Sequence, residues 1–482
     1  MMTLSRRQLL RMASGLAAAT VASSMTTFRS MAEGVGTPSF LSGHFRPVDT
    51  EATAFDLPVR GAIPKALSGR YFRNGHNPQN GENPGAWFYG AGMIHGLRIA
   101  GGHAEWYRNR WIRTPALEGA PLFREDGSMD LTASTAATSV IAHAGRILAL
   151  QEVNLPFEVT PELETLGVHD FNGALETMMT AHPRVDPRTG ELLFFGNSPL
   201  PPFLTYHVAD ANGRLTHSEV IEGPAGSVIH DFAITENYVI WFDPNVTLDL
   251  GSGLHFPYTW NDRYPGRIGI LPRDRSKGDI IWIDVDPYYV LHFTNAWENA
   301  DGTITVECPH FDKASWSAAS AFIEGVSGHG SLPVQGSRRS RWTIDLAART
   351  ARSEIKDETT IEFPKINDAF TGRANRYAYA VSFPGPGQQT CGLVKYDMHS
   401  DRVDRLVLPE GVYAGEPCFV PDPEGQAEDD GWLLSFVTDL RANIGELWII
   451  DARDIRKPVA SIEIPVWTPA GVHGSWIDDS AI

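Results

Sequence analysis

Cysteine is scarce in this chain. Its 482 residues hold three, Cys308, Cys391 and Cys418, and no Cys-x-x-Cys pair, which excludes a disulfide framework. Basic charge is also short: 40 Lys and Arg face 58 Asp and Glu, a net charge of −18. That balance argues against nucleic acid or an anionic membrane as the partner, since neither would be attracted. Past the first thirty or so residues no stretch is long and apolar enough for a transmembrane helix. A serine triad, a P-loop and a dinucleotide fingerprint are missing too. Turn formers are abundant, with 45 Gly and 33 Pro, which points to many turns and few long helices.

The chain opens with Ser5-Arg-Arg-Gln-Leu-Leu10, a twin-arginine pattern, followed by a small-residue apolar run from Ala13 to Ala22. That run is too short and too Ala-rich to span a bilayer stably. Residues 1–33 therefore read as a twin-arginine-type signal peptide, which predicts a bacterial protein exported to the periplasm already folded and metal-loaded. Without that signal the expected location is the cytoplasm. No linker or low-complexity tract follows, so residues 34–482 are expected to form one domain.

The body of the chain reads as repeated hairpins. Phe203 to Asp210 turns at Ala-Asn-Gly213 and returns through Leu215 to Ile221; Arg341 to Asp345 returns near Glu354-Ile355; Gly392 to Asp397 returns through Arg405 to Leu408; Glu446 to Asp451 returns as Val459 to Ile464. Each is an apolar strand closed by Asp, a polar turn and a second alternating strand. Ala314 to Phe322 carries a weak helical signal and is expected as an insertion over one face.

Four histidines enter or leave β elements: His182, His230, His292 and His473. In such a run a histidine is either a satisfied core residue or a metal ligand. Their spacings of 48, 62 and 181 residues correspond to roughly one, one and three units of about 50–60 residues, near the period of propeller blades. A β-propeller aims one strand of every blade at a common axis, where distant residues can meet. Neutral imidazole suits iron, copper, zinc and nickel, and spacing alone names none of them.

Nine segments, in shared order, carry a family resemblance. They are Gly69-Arg-Tyr-Phe-Arg-Asn-Gly-His-Asn-Pro-Gln79, Gly90-Ala-Gly-Met-Ile-His-Gly-Leu97, Thr180-Ala-His-Pro-Arg-Val-Asp-Pro187, Ile229-His-Asp-Phe232 and Arg267 to Arg273, then His292-Phe-Thr-Asn-Ala-Trp297, Glu362-Phe-Pro-Lys-Ile-Asn367, Gly415-Glu-Pro-Cys-Phe-Val-Pro421 and Val472-His-Gly474. Through them the chain resembles the carotenoid cleavage oxygenases, non-haem iron enzymes that include apocarotenoid oxygenases and lignostilbene dioxygenases. The resemblance implies an all-β, seven-bladed β-propeller with a dome of loops and short helices over the iron-bearing face. It implies Fe(II) held by His182, His230, His292 and His473, with Glu152, Glu362 and Glu416 bonded to ligating histidines. It further implies oxidative scission by O2 of a carbon–carbon double bond into two carbonyl products.

The expected substrate is an apolar small-molecule alkene, a carotenoid or apocarotenoid. Its handling calls for an aromatic-lined tunnel and an apolar patch for peripheral membrane contact, with Trp87, Phe88, Tyr258, Trp260 and Trp297 as candidate lining. Two departures from the family pattern stand out. Stilbene-cleaving members carry a lysine just before the residue equivalent to Glu152, where this chain has Gln151; Ala91 stands where Asp is usual in a Gly-Asp-Gly-Met turn. Cleavage of a stilbene or other phenylpropenoid alkene is the first alternative. A non-catalytic ligand-binding propeller is the second, and a zinc or copper hydrolase, for which no general base is evident, the third. No protein partner is implied.

Overall fold

A computed structural model describes residues 37–79, 81–326, 336–385 and 388–482. The signal-peptide reading of residues 1–33 lies outside the described residues. The described chain is mostly β, and its one α-helix among those residues runs Lys313–Ile323, where the sequence suggested a helical insertion. The four hairpins pair as expected: Leu204–Ala209 with Leu215–Val220, Arg338–Asp345 with Thr350–Lys365, Gly392–Asp397 with Arg402–Val407, and Ile444–Asp451 with Pro458–Ile464.

The strands sort into three four-stranded sheets and sheets of five, six and seven, with a separate two-stranded ribbon. The seven-stranded sheet bends within the long strand Thr350–Lys365. One part of that strand pairs with Arg338–Asp345 and the other with Tyr377–Ser382, and the second pairing slips register between Glu362 and Lys365. Successive strand residues face opposite sides of a sheet, so a strand packed on both faces must be apolar at every position. This chain follows that rule. In Leu192–Asn197, Leu192 and Phe194 join the core shared with the preceding sheet, whereas Leu193 and Phe195 join the core shared with the following one. Val239 and Trp241 likewise face backwards while Ile240 and Phe242 face forwards.

Each sheet is thus stacked on the next through its own apolar cluster. The last cluster places Leu434, Phe436 and Leu447 of the six-stranded sheet against Tyr71, Leu97 and Tyr107 of the first. Two pairings join distant parts of the chain: Gly69–Arg73 with Gly474–Asp478, and Val59–Gly61 with Pro458–Ile464.

Around the single described α-helix gathers a cluster of aromatic rings, the aromatic cap. The Lys313–Ile323 helix, capped by the Asp312 carboxylate on Ser315 N–H, presents Trp316 and Phe322. Phe322 packs on Phe45 and Trp87, and Trp87 stacks on Phe88, which meets Phe256 and through it Tyr258.

Candidate metal centre

Each of the four histidines stands just ahead of a strand at the edge of its sheet. His182 precedes Arg184–Val185, His230 precedes Ala233–Ile234, His292 precedes Asn295–Glu298, and His473 adjoins Gly474–Asp478. Their ligand atoms all lie within 4.8 Å of one another. His182 Nε2 is 2.9 Å from His230 Nε2, and His230 Nε2 is 3.3 Å from His292 Nε2. Imidazole nitrogens about 2.1 Å from one ion would sit ~3 Å apart at right angles and ~4.2 Å apart when opposed. The 2.9 and 3.3 Å separations match neighbouring ligands of one ion, and the widest separation, within 4.8 Å, is slightly looser than opposed ligands at that bond length. His473 Nε2 is buried with no hydrogen-bond partner among the described residues, a lone pair aimed into the cluster.

Three of the four rings face a carboxylate through Nδ1, buried for Glu362 and Glu416 and half-buried for Glu152. The distances are 2.5 Å from His292 to Glu362 Oε2 and 2.9 Å from His473 to Glu416 Oε1, with His230 3.1 Å from Glu152 Oε1 in an ion-pair contact rather than an aligned hydrogen bond. A carboxylate that takes Nδ1–H leaves the Nε2 lone pair free for a metal and fixes the ring's orientation. For His182 no carboxylate contact of this kind is seen among the described residues; its backbone N–H is held by the Thr180 hydroxyl.

The three carboxylates differ electrically. Burial pushes Glu362 up to about 8; among the described residues no Lys or Arg pairs with it, and its buried Oε1 has no hydrogen-bond partner there. Burial is also the largest influence on Glu416, yet Lys365, with Nζ 3.6 Å from Oε1, together with His473 and the Gly474 N–H, brings it down to about 2. Glu152 is raised by burial but held below its ordinary value by the facing His230 imidazole. Burial, reinforced by the neighbouring rings, keeps His182 and His292 well below the usual histidine range, so both are neutral lone-pair donors.

Glu362 owes its aim to backbone irregularity. Phe363, the next residue, has φ +58° without being glycine, at the register slip of its strand, and its N–H bonds Glu362 Oε2 at 2.7 Å. Bulges of this kind re-aim a side chain at some conformational cost.

A polar cavity of about 100 Å³ reaches His182, His292 and His473 among the sheets; Arg184, Asp231, Lys365 and Glu416 are in its wall. None of the five candidate aromatics lines it. Trp87, Phe88 and Tyr258 do come together in the aromatic cap, and Trp260 packs at its edge beside Trp316 and Tyr289. Trp297 stands apart, opposite Thr305 in a strand pair with no ring contact to the cap among the described residues. Gln151 turns its side-chain carbonyl to Ala137 N–H and the Thr138 hydroxyl. The sequence reading passed over Arg184, Asp231, Thr138 and Lys365. Asp231, a charge inside an apolar run and adjacent to a histidine, was the available signal for one of them.

A mostly β chain that gathers four imidazoles, three of them facing carboxylates, offers the donor set of a metal site. The family model described as retinal pigment epithelial membrane protein matches residues 45–478. A carotenoid cleavage oxygenase of Mycobacterium tuberculosis is 34% identical, over 91% of this chain and 97% of its own. An isoeugenol monooxygenase of Pseudomonas nitroreducens is 32% identical, over 91% and 97% respectively. The crystal structure of Pseudomonas brassicacearum lignostilbene dioxygenase superposes with a TM-score of 0.80 at 26% identity, covering 92% of this chain and all of that one. The chain belongs to this carotenoid oxygenase family, and it is an oxygenase.

Proposed function

We propose that the protein is an Fe(II)-dependent dioxygenase that splits a carbon–carbon double bond of a carotenoid or apocarotenoid into two carbonyl products. The observation that carries this is the cluster of four imidazole ligand atoms within 4.8 Å, three of its rings backed by Glu152, Glu362 and Glu416. His182, His230, His292 and His473 would hold the iron, whose role when bound is to activate O2 beside the alkene. The chain's own residues do the remainder. Glu152, Glu362 and Glu416 orient three rings and balance the charge that neutral imidazoles leave uncompensated. The aromatic cap of Trp87, Phe88, Tyr258 and Trp260 offers an apolar surface that excludes water and binds a polyene by area rather than by hydrogen bonds.

Cleavage of a phenylpropenoid alkene is the second reading. It is favoured by the similarity to isoeugenol monooxygenase and lignostilbene dioxygenase, and weakened by Gln151 in place of a lysine. The deciding experiment offers Fe(II)-loaded protein a panel of carotenoids, apocarotenals and hydroxystilbenes under air, with products read by chromatography and mass spectrometry. Paired aldehyde or ketone fragments from a polyene support the main reading. Fragments from stilbenes alone move the enzyme to the aromatic branch, and iron-loaded protein that cleaves nothing in the panel overturns both.

The finer architecture is also part of this reading. With the long bent strand divided between two blades, the stacked sheets number seven and close as a β-propeller under a dome, one domain over residues 34–482. Residues 1–33 would direct twin-arginine export to the periplasm, which N-terminal sequencing of protein from fractionated cells tests. Exposed Tyr89 and Val326, near the aromatic cap, support peripheral membrane contact during substrate uptake.

A further inference from the structure

We infer that Asp231, with Arg184 as its counter-ion, is a positioning residue that fixes the mutual spacing of His182, His230 and His292. This rests on the metal reading above. Each of these histidines lies two or three residues ahead of its edge strand, so sheet hydrogen bonds do not themselves set where its ring stands. A ligand set must nevertheless be held to within about 0.5 Å.

Asp231 supplies the missing tie. Its side chain is almost wholly buried and accepts four bonds. Oδ1 takes its neighbour's Phe232 N–H at 2.7 Å and Arg184 Nη2 at 2.8 Å. Oδ2 takes Arg184 Nη2 at 2.6 Å and Phe293 N–H at 2.8 Å. Arg184 Nε, in turn, donates to Phe232 O at 3.0 Å. Arg184 stands two residues after His182, with the rigid Pro183 between them; Asp231 directly follows His230; Phe293 directly follows His292. One carboxylate therefore joins the three ligand-bearing segments of three different sheets. The buried Glu307, bonded to Arg339 and Arg341, does something different, tying neighbouring strands of a single sheet. His473 is outside the Asp231 clamp and is held by Glu416 instead.

Charge-assisted, two-oxygen acceptance is what the arrangement needs. In Asp231→Asn an amide NH2 replaces one acceptor oxygen, so at least one donor meets a donor and one segment is released. Arg184→Lys keeps the charge, but an ammonium cannot serve the carboxylate and Phe232 O in the same planar fork.

The test uses cobalt(II) as the probe, on the metal-free full chain, reading affinity by chelator competition, the visible absorption bands at saturation, and thermal melting of the apo-protein. Asp231→Asn is expected to weaken cobalt binding roughly 10–100-fold and to shift the bands. Arg184→Lys is expected to act in the same direction by roughly tenfold or less, with a cooperative apo melt, and it decides the matter alone should Asp231→Asn not fold. Variants that melt at lower temperature yet bind cobalt with wild-type affinity and spectrum would make the ion pair purely structural and overturn the inference. Wild-type protein that takes up no cobalt would instead remove the metal reading on which it stands.

Discussion

Glu362 and Glu416 look interchangeable by role, yet the structure predicts that their amide variants differ. Glu362 uses a single oxygen: Oε2 takes both His292 Nδ1 and the Phe363 N–H, while Oε1 is buried and unbonded. A glutamine can place its one oxygen there and keep both bonds, losing only the charge. Burial already raises Glu362 to about 8, so at pH 7 the metal-free site holds a proton that a bound cation must displace, a cost of about 1.4 kcal/mol per unit. Glu362→Gln should therefore weaken metal binding only about tenfold at pH 7. Glu416 uses both oxygens, Oε1 for His473 and Oε2 for the Gly474 N–H, with Lys365 close by. Glutamine there must lose one bond to a charged acceptor, about 1.5–3 kcal/mol, and leave the half-buried Lys365 ammonium without its partner charge, which puts the loss near 100-fold. Chelator-competed cobalt titrations at pH 7 and 9 measure both. Since the wild-type site binds more tightly once Glu362 is ionised, the deficit of Glu362→Gln should widen from pH 7 to 9 while that of Glu416→Gln, ionised down to about 2, stays constant. Equal losses in the two variants at pH 7, or a reversed order, would refute this account of the carboxylates.

Removing a ligand should be more drastic: His230→Ala is expected to lose iron and activity while its circular dichroism stays wild-type, and wild-type iron occupancy would sink the ligand assignment. Trp241→Ala, a fully buried ring between two sheets packed on Tyr206 and Phe232, should cost about 3–5 kcal/mol in denaturant unfolding. Acid should destabilise the fold earlier than carboxylate titration alone would. Burial holds His76, His207 and His310 near 4 and His44 near 3, so below pH 6.5 the unfolded chain binds protons that the folded chain refuses. Stability should fall by up to about 1.4 kcal/mol per pH unit for each of these as pH drops from 6.5 to 4. A melting temperature flat from pH 7 to 5 would contradict this.

The four histidines were legible because each adjoins a β element, His230 and His292 within apolar runs, and because their intervals suit residues that meet on a common axis. The hairpins were legible for a similar reason, since turn residues and closing aspartates mark both ends of every pair. The glutamates were not readable from local pattern. Glu362 is aimed by a left-handed Phe363, a position that no glycine announces. The Asp231–Arg184 tie was hidden because its three segments are 48 and 62 residues apart and meet only once the sheets are stacked. Trp297, offered as substrate lining with the other aromatics, lies in the strand Asn295–Glu298 opposite Thr305, with no ring contact to the cap among the described residues.

The pairing of Gly69–Arg73 with Gly474–Asp478 bears on how the molecule is made. The bond between Ser68 and Asp479 spans 411 residues, so during synthesis the first sheet waits with an open edge while all the others emerge. His473 travels on the strand that fills that edge, which means three histidines can gather before the fourth arrives. Long-range closure of this kind is slow, and a ligand that binds only the closed form shifts the equilibrium towards it. A bound metal would then favour the pairing of first and last strands, since a nascent chain short of Gly474–Asp478 offers only three of the four imidazoles.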